Sequence, residues 1–128
     1  MILDTSFVID FLKGRKNAVE MMLSIVENHI AFAIAAPTVT EIYSGLVYIG
    51  NEQYRIKTRD FLKKQIILPL DEPSAIFAGE IDGTLTKKGL KIQRADSMIA
   101  GIAISNNMSV LTNDSHFDRI EGLEIQKY

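Results

Sequence analysis

The chain has 128 residues, 47% of them hydrophobic, which is enough apolar material for one domain with a single core. Its formal net charge of −2 argues against a protein that coats nucleic acid non-specifically, because such proteins are basic. The absence of cysteine excludes disulfide bonds and thiolate metal sites. No signal peptide is visible, and the most apolar stretch, residues 30–36, is far too short to span a bilayer. We expect a cytoplasmic protein with one domain over residues 1–128 and no contact with a membrane.

Short apolar runs alternate with longer segments of helical periodicity, which is typical of a parallel sheet covered by helices. The predicted elements are a strand at 1–4, a short helix, a helix at 17–27, a strand at 30–35, helices at 38–50 and 52–64, a strand at 66–70, helices at 74–88 and 96–106, a strand at 109–112, a turn at 115–119 and a strand at 123–126. The apolar residues predicted to face inward are Val19, Met22, Leu23 and Val26 in the helix at 17–27, and Ile76, Phe77, Ile81 and Leu85 in the helix at 74–88. The order of elements predicts the α/β class.

Four carboxylates lie where apolar segments lead into predicted helices: Asp4, Glu41, Asp96 and Asp114. In an open parallel sheet such junctions meet at the carboxyl edge of the strands, where ligands bind. Each acid alone also has a structural explanation. The segment from Thr38 to Glu41 has the form of a capping box, and the three aspartates could cap helices or lie in their first turns.

The four acids taken together favour a metal site over four separate caps. Burying an ionised carboxylate such as Asp96 costs several kcal/mol unless something positive offsets it. No Lys or Arg adjoins Asp4 or Glu41, and Arg94 is the nearest cation to Asp96. Mg²⁺ prefers oxygen ligands, whereas zinc sites mostly use Cys and His side chains. This chain has no Cys and only two His residues. The pattern therefore predicts metal-dependent chemistry at a phosphate.

Four segments resemble the sequence motifs of the PIN-domain nucleases, in the same order along the chain. They are Ile2-Leu3-Asp4-Thr5-Ser6-Phe7-Val8-Ile9-Asp10, Thr38-Val39-Thr40-Glu41-Ile42, Ala95-Asp96-Ser97-Met98-Ile99-Ala100-Gly101-Ile102-Ala103 and Leu111-Thr112-Asn113-Asp114-Ser115-His116-Phe117. The compact length is similar to that of the VapC-type toxins of prokaryotic toxin–antitoxin modules. The resemblance implies a three-layer α/β/α sandwich with a mainly parallel sheet and an endoribonuclease that depends on Mg²⁺ or Mn²⁺.

The resemblance also assigns roles to particular residues. It implies catalytic roles for Asp4, Glu41, Asp96 and Asp114, metal ligation by Asp4, Asp96 and Asp114, and supporting hydroxyls on Thr5, Ser6 and Thr112. The fourth position varies in the family, and here Asn113 lies beside Asp114. The family further implies a homodimer and a cognate antitoxin, for which the candidate contacts are Tyr43, Leu46, Val47, Tyr48 and Tyr54.

The remaining polar residues carry weaker signals. Arg94, Arg15 and Lys16 are candidates for contact with RNA phosphates, although runs of charge are usually solvated surface. We interpret His116 as a surface residue of a turn.

Three other interpretations stay open. The first is a phosphoaspartate enzyme or receiver with Asp4 as the phosphorylated residue. Phosphatases of the haloacid-dehalogenase type require a second aspartate at the position of Ser6, and a receiver requires a lysine after a later strand, which residues 112–114 do not supply. The second is a non-catalytic binding module, which predicts an incomplete acidic set. The third is a PIN nuclease of RNA processing or decay outside any toxin module, which nothing in the residues excludes.

Overall fold

The computed structural model describes residues 1–128. The elements are β1 (Ile2–Leu3), α1 (Thr5–Leu12), α2 (Lys16–Glu27), β2 (Ala33–Ala35), α3 (Ala36–Ile49), α4 (Glu52–Leu62), β3 (Ile67–Leu68), α5 (Glu72–Lys87), α6 (Arg94–Ser105), β4 (Val110–Leu111), a 3₁₀ turn (Phe117–Arg119) and β5 (Ile125–Gln126). Every predicted element is present, and the strands are shorter than predicted. No helix combines the length and the hydropathy that crossing a bilayer requires.

The five strands form one parallel sheet in the order β3-β2-β1-β4-β5. The chain builds outward from β1 to β2 and β3 and then returns past β1 to add β4 and β5. The connections that follow β1 and β4 therefore leave these neighbouring strands in opposite directions. Such a switch point opens a crevice at the carboxyl ends of the strands, which is the usual ligand site of open α/β sheets.

Alternate residues of the short strands enter two separate cores, one on each face of the sheet. In β1, Leu3 packs with the helices α1 to α4, whereas Ile2 packs with α5 and α6. Both residues are fully buried because each face of the sheet is covered by helices. The predicted three-layer α/β/α sandwich with a parallel sheet is thereby confirmed.

The predicted inner face of α2 is right for Met22, which is buried, and wrong for Leu23 and Val26. Leu23 and Val26 are 55% and 58% exposed, while the helix buries Ala18, Met22 and Ile25. The predicted set of inward residues and the buried set both have helical spacing, so periodicity alone does not determine which of the two faces the core. Ala18, Met22 and Ile25 form the buried face of α2 and pack in the same core as α1.

The predicted inner face of α5 is also wrong for two of its residues. Ile76 and Phe77 are exposed, and the helix instead buries the small side chains of Ser74 and Ala78. The reason is a close approach of α5 to α6. A Cβ atom on Gly101 of α6 would lie 2.4 Å from the backbone oxygen of Ser74 and 2.7 Å from the backbone nitrogen of Ala78.

Candidate active site

Asp4 follows β1 at the switch point of the sheet, and its carboxylate is held by two hydroxyls. It occupies the N-cap position of α1, yet its side chain makes no capping bond. Its Oδ2 atom accepts hydrogen bonds from Ser6 Oγ at 2.6 Å and from Thr112 Oγ1 at 2.8 Å. Those two bonds engage one carboxylate oxygen and leave Oδ1 without a protein donor. Asp4 is therefore a buried acid with one oxygen free for a ligand.

Glu41 lies on α3 and is held by a hydroxyl from α1. Its Oε2 atom accepts a hydrogen bond from Thr5 Oγ1 at 2.6 Å, and Thr5 also contacts Thr38 Oγ1 at 3.2 Å. The helix begins at Ala36, with Pro37 in its first turn, so Thr38 lies inside the helix and caps nothing. The capping-box interpretation of this segment is wrong.

Asp114 belongs to the turn after β4, the strand that neighbours β1. Its backbone N–H donates to Thr112 Oγ1 at 3.0 Å, and its Oδ1 atom accepts from the backbone N–H of His116 at 2.8 Å. Because the fully buried Thr112 hydroxyl also donates to Asp4, a single side chain fixes both acids.

Asp96 is the third residue of α6, and one of its oxygens accepts no hydrogen bond. The residue is only 8% exposed, and Oδ2 is buried without a hydrogen bond. The pKa of Asp96 is raised from its ordinary value of 3.8 to about 6, first by burial and then by neighbouring negative charges. Those charges are, in decreasing order, Asp4, Asp114 and Glu41. The four predicted acids thus share one electrostatic environment.

His116 lies in the predicted turn and is partly exposed, but its Nδ1 atom faces this group of acids, which the interpretation as a surface residue did not include. Its Nδ1 atom is buried without a hydrogen-bond partner, 3.4 Å from Asp96 Oδ2 and 3.5 Å from Asp114 Oδ1. The signal in the sequence was its place two residues after an acid and directly before Phe117, which is fully buried.

Arg94 lies beside the acidic site. It is the first residue of α6, and its exposed guanidinium is 3.6 Å from Asp82 Oδ2. Arg94 and Glu41 line the same cleft, together with apolar side chains of α3 and α6. A phosphate bound in this cleft near Glu41 would therefore lie close to the guanidinium of Arg94.

Arg15 and Lys16 lie on a different side of the site. They line a second cleft with Asn113, the neighbour of Asp114. Arg15 Nε is paired with Asp10 Oδ1 at 2.9 Å, whereas the largely exposed Lys16 makes a looser contact, with Nζ 3.9 Å from Glu20 Oε1. Arg15 is thus already partly neutralised, and Lys16 is the freer of the two cations.

Tyr128, which the sequence analysis did not single out, closes this second cleft. Its ring packs edge-on against Phe7 with centroids 4.7 Å apart, and its hydroxyl donates to Asp10 Oδ2 at 3.2 Å. The side chain of Asn113 both donates to and accepts from the Tyr128 backbone. Burial raises the pKa of Tyr128 to about 12, so the phenol stays protonated.

The donor set fits a divalent cation. Asp96, Asp114 and His116 each offer one ligand atom, and these atoms lie within 4.8 Å of one another. The unpartnered Oδ2 atom of Asp96 is the observation that calls for a positive charge, because a buried carboxylate oxygen without a donor is costly. Asp4 and Glu41 are not members of this compact group, although their charges act on Asp96 and Asp4 Oδ1 has no protein donor.

Fold and site together define a parallel α/β protein with a cluster of carboxylates at the switch point of its sheet, of a composition that could hold a divalent cation. A model of the PIN domain family matches residues 1–123, and the chain belongs to this family.

Sequence relatives and solved structures are similar to this protein over nearly the whole chain. Ribonuclease VapC1 of Rickettsia felis is 32% identical over 131 residues, covering 98% of this chain and 93% of the relative. The tRNA(fMet)-specific endonuclease VapC of Salmonella typhimurium is 29% identical over 129 residues, covering 99% and 96%. Among solved structures, VapBC2 of Rickettsia felis bound to a promoter DNA fragment has a TM-score of 0.87 at 25% identity, covering 99% of this chain and 97% of that one. DNA-bound VapBC of Salmonella typhimurium has a TM-score of 0.86 at 29% identity, covering 98% and 96%.

Replacing Thr112 with Val tests the shared hydroxyl between Asp4 and Asp114. The shape is kept, but Asp4 loses one donor and the Asp114 N–H loses its acceptor. If these acids hold a metal, nuclease activity should fall about 10–100-fold, the usual cost of losing a residue that orients a metal ligand. The free energy of unfolding should fall by about 1–2 kcal/mol. Cleavage rates and urea denaturation measure the two effects.

The matched control is Thr58→Val in α4. Thr58 is also fully buried, but its hydroxyl has no hydrogen-bond partner. This substitution should leave activity unchanged and should not lower stability. Equal effects of the two substitutions would contradict the role given to Thr112.

Proposed function

We propose that this protein is a cytoplasmic endoribonuclease dependent on Mg²⁺ or Mn²⁺, and that it is the toxin of a type II toxin–antitoxin pair. The observation that carries the proposal is the buried Oδ2 atom of Asp96, which lacks a donor and lies in the field of three further acids. The names of the relatives, a ribonuclease and a tRNA(fMet)-specific endonuclease, support hydrolysis of RNA.

In this proposal Asp4, Asp96 and Asp114 hold the cation. When bound, the cation lowers the pKa of a water molecule and stabilises negative charge on the phosphate. Asp4 is oriented by the hydroxyls of Ser6 and Thr112, which engage Oδ2 and leave Oδ1 as its ligand atom.

Glu41 has a separate role in the same proposal. The bond from Thr5 engages its Oε2 atom and leaves Oε1 free to accept a proton from the attacking water. Arg94 would contact an RNA phosphate from the cleft beside Glu41, and Lys16 and Arg15 would contact the strand from the cleft beside Asn113.

The test is cleavage of a panel of structured RNAs that includes initiator tRNA, with Mg²⁺, with Mn²⁺ and with a chelator. We expect cleavage only with metal, and loss of cleavage in Asp4→Asn and Asp96→Asn. We also expect metal to raise the melting temperature of the wild type but not of Asp96→Asn, because a ligand that binds only the folded state stabilises it. Cleavage that survives chelation or both substitutions would refute the mechanism.

A cognate antitoxin is the proposed protein partner, because the similar solved structures are VapBC toxin–antitoxin complexes. Of the candidate contacts, Val47 and Tyr48 are 73% and 93% exposed at the end of α3, whereas Leu46 is buried. Tyr43 and Tyr54 pack against the core. The exposed pair is thus the part of the predicted surface still available for a partner. The implied homodimer stays a prediction.

The second candidate function is a PIN nuclease of RNA processing or decay outside a toxin module. It uses the same site, so cleavage assays do not separate it from the toxin. A small reading frame directly upstream, whose product co-purifies with this chain after co-expression, would favour the toxin. A non-catalytic binding module is the third possibility, and metal-dependent cleavage would exclude it.

A further inference from the structure

His116 brings an imidazole nitrogen into the carboxylate site. Nδ1 lies 3.4 Å from Asp96 Oδ2 and 3.5 Å from Asp114 Oδ1, and neither contact has the geometry of a hydrogen bond. His116 Nδ1 and Asp96 Oδ2, both buried, therefore face each other without a hydrogen bond, at a distance at which a protonated imidazole would form an ion pair with the carboxylate. Asp96 is more than nine-tenths buried, so water does not solvate it freely.

These separations fit two ligands of one ion better than a direct bond. An N–H···O hydrogen bond spans 2.7–3.2 Å, which is shorter than either contact. Ligand atoms about 2.1 Å from a cation and at right angles to each other are about 3 Å apart, and wider angles increase that separation. The backbone N–H of His116 donates to Asp114 at 2.8 Å, so the turn fixes the imidazole close to both carboxylates.

We propose that His116 Nδ1 ligates the cation together with Asp96 and Asp114, and that this nitrogen makes the site prefer Mn²⁺ to Mg²⁺. The inference rests on the proposed function in one respect, which is that the bound cation takes part in cleavage. Mg²⁺ takes oxygen ligands almost exclusively, whereas imidazole is a good ligand for transition metals. One nitrogen among carboxylate oxygens thus separates two cations that an all-oxygen site would accept alike.

The experiment uses the full-length protein loaded with Mn²⁺. Pulsed electron paramagnetic resonance detects ¹⁴N coupled to the Mn²⁺ spin, and ¹⁵N labelling of histidine must change that coupling. Titration calorimetry compares the affinities for Mn²⁺ and Mg²⁺. We expect nitrogen coupling in the wild type and its loss in His116→Asn, where an amide replaces the ring. The affinity for Mn²⁺ should fall at least about 100-fold, more than for loss of an outer partner of a ligand, with a much smaller change for Mg²⁺.

The matched control is His29→Asn, which changes the other histidine. His29 is exposed after α2 with a φ of 52°, a conformation that Asn tolerates, so this variant should fold and keep both coupling and affinity. A Mn²⁺-saturated wild type without histidine nitrogen coupling overturns the inference even if His116→Asn does not fold. In that case the proposed function stands if cleavage still requires metal. Absence of binding of either cation, with cleavage that resists chelation, overturns both.

Discussion

Asp96→Asn should abolish RNA cleavage and, at the same time, stabilise the metal-free protein above pH 6. The loss of activity follows from the proposed ligand role of Asp96. Removing an outer partner of a metal ligand costs about 10–100-fold, so removing the ligand itself should cost at least about 100-fold. The gain in stability follows because the substitution removes a buried charge that lies near three other acids.

The stabilisation should depend on pH in a defined direction. The pKa of Asp96 is about 6 in the folded protein and about 3.8 when it is unfolded. Between these values the folded state binds more protons than the unfolded state, so the free energy of unfolding falls as pH rises from about 4 to about 6. At 1.36 kcal/mol per pKa unit, the contribution lost is about 1–3 kcal/mol, and it stays lost at higher pH.

Urea denaturation of both proteins in chelator, at pH 4, 5, 6 and 8, measures this difference. The advantage of Asp96→Asn over wild type should grow from pH 4 to pH 6 and then level off. Asp60→Asn, an exposed acid on α4, is the control and should show no such trend. Adding Mn²⁺ or Mg²⁺ at pH 8 should stabilise the wild type selectively and reverse the order. A variant less stable than wild type at every pH would contradict the electrostatic account.

Gly101→Ala should destabilise the fold by about 3 kcal/mol, near the upper end of the range for overpacked cores. The added methyl group would lie 2.4 Å from the backbone oxygen of Ser74 and 2.7 Å from the backbone nitrogen of Ala78. Both atoms belong to helix backbone, so relief requires α5 and α6 to move apart rather than a side chain to rotate. Because Asp96 precedes Gly101 in α6 by five residues, or about 1.4 turns at 3.6 residues per turn, cleavage activity should fall as well.

Gly79→Ala in α5 is the matched control for this substitution. It makes the same change of side chain in a helix, but nothing lies within 4 Å of the added carbon. Since alanine favours helix over glycine, this variant should gain about 0.5–1 kcal/mol. Melting curves and urea denaturation measure both variants. Similar stability of Gly101→Ala and Gly79→Ala would show that the two helices are not in close backbone contact.

The sequence was sufficient to predict the elements and the acids because both are encoded locally. An apolar run of a few residues followed by an acid, as at Asp4 and Asp114, is recognisable without knowing what it packs against. A parallel sheet then brings such junctions to one edge, whatever their separation along the chain. The resemblance to the PIN-domain nucleases, rather than local encoding, singled out Thr5, Ser6 and Thr112 as supporting hydroxyls, and each contacts one of the acids. Their roles in catalysis stay predictions.

The tertiary structure alone decided which face of each helix is buried and which side chains complete the site. In α5 the close approach at Gly101 buries Ser74 and Ala78 and leaves Ile76 exposed, although the hydrophobicity of the sequence favours the opposite. His116 lies at the site because the turn after β4 carries it. That turn is next to Asp4 because β4 pairs with β1. Such contacts join residues far apart in the chain, and only packing selects among the arrangements that local patterns allow.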